Sequence, residues 1–376
     1  MRQILGLLVI LTFILACKQK EKSVANTEAN NEEKSVWVSY EAANNSNGKS
    51  IVLVSGDEEY RSEEAMPQLA KILSQHHGFD CKVLFAQDPE NLGVINPNYR
   101  HFIPGLHLLN KADLVIWFTR FRELPPMQME EIENYLKSGK PLIGIRTATH
   151  AFNIEDKNHP FIYYSWNYDG ENEEWYLGFG KRVLGESWYT HHGDHKHQST
   201  RGVFSAEEAT HPILNGIDTG DIWGATDVYG IRTPISKNAK VLVYGKSIDR
   251  EGNYDESDLF YGMRQTDNLV ATLSGPKDKP YNPNTNMPPI AWLNQYQLRG
   301  GIQGQSFTST IGAASDLLDE EVRRLLVNSS FFLLDMEVPE LANVSLVGEY
   351  NPNQFGFHDD AHWKNLNLRV NDFIKK

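Results

Sequence analysis

The chain has 376 residues, 40% hydrophobic and 23% charged, with a formal net charge of −13. That length allows one large globular domain with insertions, or two modest ones. The acidic balance, with no basic stripe, argues against nucleic acid as a partner.

The chain opens on a targeting pattern. Arg2 precedes an apolar run over residues 4–15, too short to span a bilayer as a finished helix. The run ends Ile14-Leu15-Ala16-Cys17, which resembles a bacterial lipobox. Residues 1–17 are therefore read as a lipoprotein signal peptide with Cys17 as the lipidated residue. A plain secretory signal and an uncleaved anchor are the alternatives. The expected place is the cell envelope, on the periplasmic or outer-membrane side, with membrane contact through the lipid anchor only. Residues 18–49, rich in Lys, Glu, Asn and Ser, are expected to be a flexible tether. The other cysteine, Cys81, sits in a strand pattern and reads as a small buried hydrophobe.

Residues 51–55 form the first expected strand, followed by the acidic turn Asp57-Glu58-Glu59-Tyr60-Arg61. A helix comes next, with Ser62 as N-cap and Glu63 and Glu64 favouring the dipole. Met66, Leu69, Ala70 and Leu73 recur at helical spacing until Gly78 stops them. Residues 81–85 and 112–118 read as the second and third strands. Pro125-Pro126 opens a helix through Ile132 and Leu136, and residues 142–145 form the fourth strand. Near-continuous apolar strands alternating with helices predict an α/β fold, a mostly parallel sheet with helices on both faces. Residues 153–200, dense in Tyr, Trp, Gly and His, lack a period and read as a long insertion. Short strands are expected at 201–204, 221–229 and 240–244, and a polar excursion at 247–287. A hairpin-like pair at 290–294 and 301–308 precedes a final helix near 319–334. Residues 50–336 thus read as one domain, and 337–376 as an irregular C-terminal extension.

Candidate functional residues follow the strands, at the carboxyl rim where open α/β sheets present chemistry. Asp57, Glu58 and Arg61 follow the first strand. The carboxylates there can act as a base or bind sugar hydroxyls, or merely favour the next helix. After the third strand, Arg120 reads as a forked donor to substrate and Arg122 as a structural ion-pair partner. The fourth strand runs into Gly144-Ile145-Arg146-Thr147-Ala148-Thr149-His150, with Arg146 where a hydrolase elbow carries its nucleophile. An arginine stays protonated and cannot attack a carbonyl, so acyl-enzyme chemistry is not expected. Arg146 can hold an anion or polarise a ketone, and His150 can move protons.

His191, His192, His195 and His197 fall within seven residues. His191 and His195 would share a helix face and His195 and His197 a strand face, so no regular structure gathers all four. Proton transfer or substrate binding by one or two of them is the preferred reading. Metal ligation is the lesser alternative, and no cofactor is expected. In the segment 223–229, Asp227 is suited to orient a histidine or, with Tyr229, to bind hydroxyls. Trp223 is suited to stack on a sugar face, and an ordinary half-buried strand is the bland alternative.

Several of these pieces resemble the trehalose-utilisation (ThuA-like) family, in particular its long secreted branch. They are residues 51–61, Gly144 to Phe152, His191-His192-Gly193, His211-Pro-Ile-Leu, the run from Gln305 to Ala313, and Val347 to Phe357. The resemblance covers roughly residues 50–357. It implies a flavodoxin-like, class I glutamine-amidotransferase-like fold that has lost the amidotransferase cysteine. It also implies a place in sugar catabolism, often beside oxidoreductases that make 3-keto sugars. The positions it matches are Arg146, His150, His191 and His192, which are taken as the catalytic candidates.

The expected function is therefore a carbohydrate enzyme acting on a sugar or 3-keto-glycoside by proton transfer, as a lyase, hydrolase or isomerase. Arg146 and Arg120 would stabilise an oxyanion, His150 or His192 would be acid or base, and Asp57, Glu58, Asp227 and Tyr229 would hold hydroxyls. A sugar oxidoreductase is the expected partner. The alternatives are a lipid-anchored sugar-binding protein without catalysis and a metal-dependent hydrolase built on the histidine tract.

Overall fold

The computed structural model describes residues 35–43 and 45–374. The signal peptide, Cys17 and most of the expected tether lie outside them. Among the described residues, no helix is long and apolar enough to cross a membrane.

Twelve strands occur in the described chain: β1 (Trp37–Tyr40), β2 (Ser50–Gly56), β3 (Asp80–Phe85), β4 (Leu114–Thr119), β5 (Leu142–Ile145), β6 (Trp188–His191), β7 (Gln198–Val203), β8 (Trp223–Gly224), β9 (Tyr229–Ile231), β10 (Ala239–Asp249), β11 (Pro289–Tyr296) and β12 (Gly304–Ser309). Four α-helices accompany them: α1 (Ser62–His77), α2 (Pro126–Lys137), α3 (Glu320–Leu333) and α4 (Asp360–Leu366). Ten strands form one sheet in the order β1-β3-β2-β4-β5-β12-β11-β10-β7-β8, and β6 pairs with β9 apart from it.

The sheet is mixed rather than mostly parallel. The run β3-β2-β4-β5-β12 is parallel throughout. Beyond β12, the strands β11, β10, β7 and β8 continue antiparallel. The pair at 289–309 is thus a hairpin whose second strand closes the parallel half. At the other edge, β1 pairs antiparallel with β3, so residues 37–40 are sheet and not tether.

The parallel strands are apolar on both sides because both faces are covered. Ile51, Leu53, Ile116 and Phe118 join one core with Met66 and Leu69 of α1 and Leu325 and Leu326 of α3. Val52, Val54, Val115 and Trp117 face the other core with Met129, Ile132 and Leu136 of α2. The helix boundaries follow local chemistry. Asp319 caps α3 by accepting from the amides of Glu321 and Val322. Ser62, expected to be an N-cap, is the first helical residue instead; its hydroxyl accepts from the amide of Asp57 at 2.9 Å.

In the parallel half, numbered by chain order, the strands stand 2-1-3-4-5. The connection from β3 to β4 crosses back over β2, so loops leaving β2 and β4 diverge at their carboxyl ends. Such a divergence leaves a crevice in which open α/β sheets bind ligands.

Candidate functional site

The turn after β5 keeps the shape of a nucleophile elbow. Arg146 has a left-handed backbone, φ 46°, a conformation costly for a side-chain-bearing residue and typical of sites that aim a group. A Cβ on Gly144 would lie 2.8 Å from Leu184 Cδ1, so the strand must be bare where it enters the turn. The elbow aims its guanidinium inward. Arg146 is 1% exposed and donates through Nη1 to the carbonyls of Asp227 (2.9 Å) and Thr310 (2.7 Å). Its Nη2 reaches the Tyr60 hydroxyl at 3.3 Å and Asp227 Oδ1 at 3.4 Å. The rings of Tyr60 and Tyr229 flank it, with centroids 4.4 and 3.7 Å from Cζ. Both Nη atoms of the guanidinium are consumed inside the protein, so Arg146 positions Asp227 and does not meet a substrate oxygen.

Asp227 is wholly buried between β8 and β9. His191 Nδ1 lies 2.8 Å from its Oδ2 and His195 Nδ1 lies 2.9 Å from its Oδ1. Burial alone would raise the pKa of this carboxyl. The two imidazole hydrogen bonds, with Arg146 behind them, outweigh burial and hold it below the usual carboxylate range. The imidazoles remain 37% and 28% exposed, so each ring is fixed by its inner nitrogen and presents its outer edge. His195 Nε2 also lies 3.7 Å from Glu59 Oε1, whose pKa burial and Asp57 push up.

The other two histidines of the tract turn away. His192 Nε2 bonds to the carbonyl of Pro283 at 2.7 Å and packs on Tyr281; His197 stacks on Tyr254. They pin the 247–287 excursion, and the structure does not bring the ring of His192 to Asp227 with His191 and His195. His150 is buried beside Phe121, Trp188 and Tyr229. Burial, aided by Arg120 and Arg146, keeps it neutral far below the ordinary histidine range. It touches no carboxylate, and its Nδ1 meets Thr149 Oγ1 at 3.3 Å.

Most charges expected to hold substrate are already engaged. Asp57 Oδ2 accepts from Thr147 Oγ1 at 2.6 Å, and its Oδ1 accepts from the amides of Glu59 and Tyr60. Glu58 gives one oxygen to Arg120 (2.5 Å) and the other to Arg122 (2.8 Å). Buried Arg122 also donates to the carbonyls of Pro97, Tyr99 and Arg120, the structural role expected of it. Arg61 donates to the carbonyls of Gln354 and Gly356 and so clamps the C-terminal extension. Tyr229 is buried under Arg146. Trp223 is buried against Phe260 and offers no face for stacking. Of the predicted substrate arginines, Arg120 alone stays on the cleft, 19% exposed, sandwiched by Phe121 (4.5 Å) and Phe357 (4.9 Å).

Sequence reasoning missed the walls of the cleft and its second imidazole. Phe121, Trp166 and Trp188 make a continuous aromatic side, with ring centroids 5.7 and 5.5 Å apart in turn. The extension adds Phe355, edge-on to His195 at 5.4 Å, and Phe357, 58% exposed and stacked on Arg120. The density of histidines over residues 191–197 was the available signal for the pair; their i, i+4 spacing was not, because His191 ends β6 and His195 lies in a turn.

No family model matches, and no curated protein matches. Among solved structures, a ThuA-like protein from Parabacteroides merdae ATCC 43184 is similar at 12% identity and a TM-score of 0.44, covering 82% of this chain and 95% of that one. The exo-β-1,4-mannosidase Op5Man5 from Opitutaceae bacterium strain TAV5 is similar at 9% identity and a TM-score of 0.28, covering 76% of this chain and 36% of that one. At these values neither likeness assigns a family or an activity.

Proposed function

We propose that the cleft is the catalytic centre of an enzyme that moves protons on an uncharged, hydroxyl-rich substrate, a sugar or 3-keto-glycoside. The carrying observation is the convergence of His191 and His195 on one buried carboxylate, at an elbow that has no nucleophile. The aromatic walls suit the apolar C–H faces of a sugar, whose edges stay polar. Five carboxylates (Asp57, Glu58, Glu59, Asp227 and Asp316) outnumber the three guanidiniums of Arg120, Arg122 and Arg146, which disfavours a phosphorylated substrate.

A ketone at C3 acidifies the neighbouring C–H. The His191–Asp227–His195 cluster takes that proton, and the electron pair moves onto the ketone oxygen as an enolate. Arg120, the guanidinium left on the cleft, stabilises that oxygen. The cluster then returns its proton to the glycosidic oxygen; the enolate pair re-forms the ketone and makes a C1–C2 double bond, and the C1–O pair leaves with the protonated oxygen. The 2-1-3-4-5 order supports the flavodoxin-like, glutamine-amidotransferase-like reading of the fold. Envelope anchoring through Cys17 belongs to the same proposal; Cys17→Ala is expected to move the protein from the membrane to the soluble fraction.

The test is incubation with native disaccharides and their 3-keto derivatives, read by mass spectrometry. Turnover of the keto forms only, abolished in His191→Ala, is the expected result. Equal turnover of the native forms, or full activity in His191→Ala, contradicts the reading. Saturable sugar binding with no product would make the protein a binding module.

A further inference from the structure

The meeting at Asp227 has a chemistry beyond hydrogen bonding. One nitrogen of His191, one nitrogen of His195 and one carboxylate oxygen of Asp227 lie within 4.8 Å of one another. Two imidazoles and a carboxylate form a ligand set for first-row divalent cations. Zinc takes such donors at about 2.0–2.2 Å and leaves a further position open in catalytic sites. The same three donors on one face serve other metals with open positions.

Charge points the same way and is independent of the ligand geometry. Five carboxyl groups (Asp57, Glu58, Glu59, Asp227 and Asp316) gather here against three guanidiniums, and all eight groups are buried or nearly so. Such a surplus of buried acidic groups favours a bound cation. The ligands are also held in place. Arg146 fixes Asp227 from behind, and Trp188, Tyr229 and Phe355 pack against the imidazoles. Such supporting contacts orient metal ligands. The exposed edges of both rings give an entry path from the cleft.

We propose that His191, His195 and Asp227 bind one first-row divalent cation at the floor of the cleft. This takes its location from the reading above and deepens it by naming the proton acceptor. A cation-bound water ionises far more readily than bulk water. The bound hydroxide takes the C–H proton and becomes water. The C–H electron pair stays with the substrate as the enolate.

The test uses the full chain, stripped with a chelator, dialysed, and titrated with Zn²⁺ by calorimetry and with Co²⁺ by visible absorption. One equivalent is expected to bind. His191→Ala, His195→Ala and the more conservative His195→Gln are each expected to weaken it by more than the roughly 10–100-fold that losing an outer partner costs. His192→Ala and His197→Ala, whose rings face Pro283 and Tyr254, are expected to bind as the parent does. No saturable binding by the parent chain overturns the inference, as does a loss spread evenly over all four histidine positions. No substrate enters the titration. Cation binding without turnover therefore removes only the proposed function, and turnover unaffected by chelation removes only the metal.

Discussion

The two halves of the sheet treat charge differently. In the parallel half, the loops after β2, β4 and β5 carry Asp57, Glu58, Arg122 and Arg146, each buried or nearly so and spent on internal partners. In the antiparallel half, the insertions around β6 to β9 bring His191 and His195 to Asp227 with their outer edges still open. The parallel loops build the floor, and the open imidazole edges arrive from the insertions laid over it. A strongly charged elbow is therefore not evidence that the elbow does the chemistry.

If that division is right, breaking the floor should cost stability. Arg146→Ala leaves the carbonyls of Asp227 and Thr310 without their donor and takes the guanidinium away from the buried Asp227 carboxylate. It should lose about 3–5 kcal/mol in denaturant unfolding, as removal of one partner of a buried pair does. An unchanged midpoint would move Arg146 back to the substrate.

Glu63 sharpens the comparison as a floor charge left incompletely paired. Its Oε2 is buried without a hydrogen-bond partner, and Arg61 Nη1 lies 3.6 Å from Oε1. Burial pushes its pKa up to about 8, with Arg61 acting against burial. The folded value is above the unfolded one. Stability from this group is therefore full below the unfolded carboxyl range and falls as pH rises toward 8, by up to about 1.4 kcal/mol per pH unit. Glu63→Gln should flatten that fall and raise stability at pH 8, measured as urea midpoints against pH. A steeper fall would contradict the assignment.

Changes on the insertion side should separate function from stability. His191→Ala should abolish turnover while costing about 1–3 kcal/mol, less than the Arg146 loss because His195 and Arg146 still hold Asp227, read by unfolding and by product formation on the same sample. Phe357→Ala, at the cleft mouth, should change stability by about 0.5 kcal/mol or less. It should weaken sugar binding by roughly 1 kcal/mol, near fivefold, in calorimetric titration. Unchanged binding would remove the C-terminal extension from the site.

Legibility followed the same division. The parallel strands, the three long helices and the elbow without a nucleophile were readable because apolar runs and helical spacing are local signals. The role of Asp227 in orienting a histidine was also readable as a possibility. The choice of His195 over His192 was not, because it depends on a turn whose rings diverge by tertiary packing on Tyr281 and Tyr254. Asp57 and Glu58 looked available because a sequence does not show that Thr147 and two backbone amides will take the first, and Arg120 and Arg122 the second. Phe355 and Phe357 lay in a stretch without periodicity. It is ordered by Arg61 and by the Gly356 amide, which donates to the Glu59 carbonyl at 2.7 Å.

The central claim is that the imidazoles on Asp227, and not the elbow or the neighbouring histidine, carry the chemistry. Its most direct measurement is product formation from a 3-keto disaccharide by the parent chain, His191→Ala, His195→Ala and His192→Ala, followed by mass spectrometry under one condition. Turnover by the parent and by His192→Ala, with none from the other two, is the result the account predicts. Turnover that survives in His191→Ala and His195→Ala but is lost in His192→Ala would contradict it.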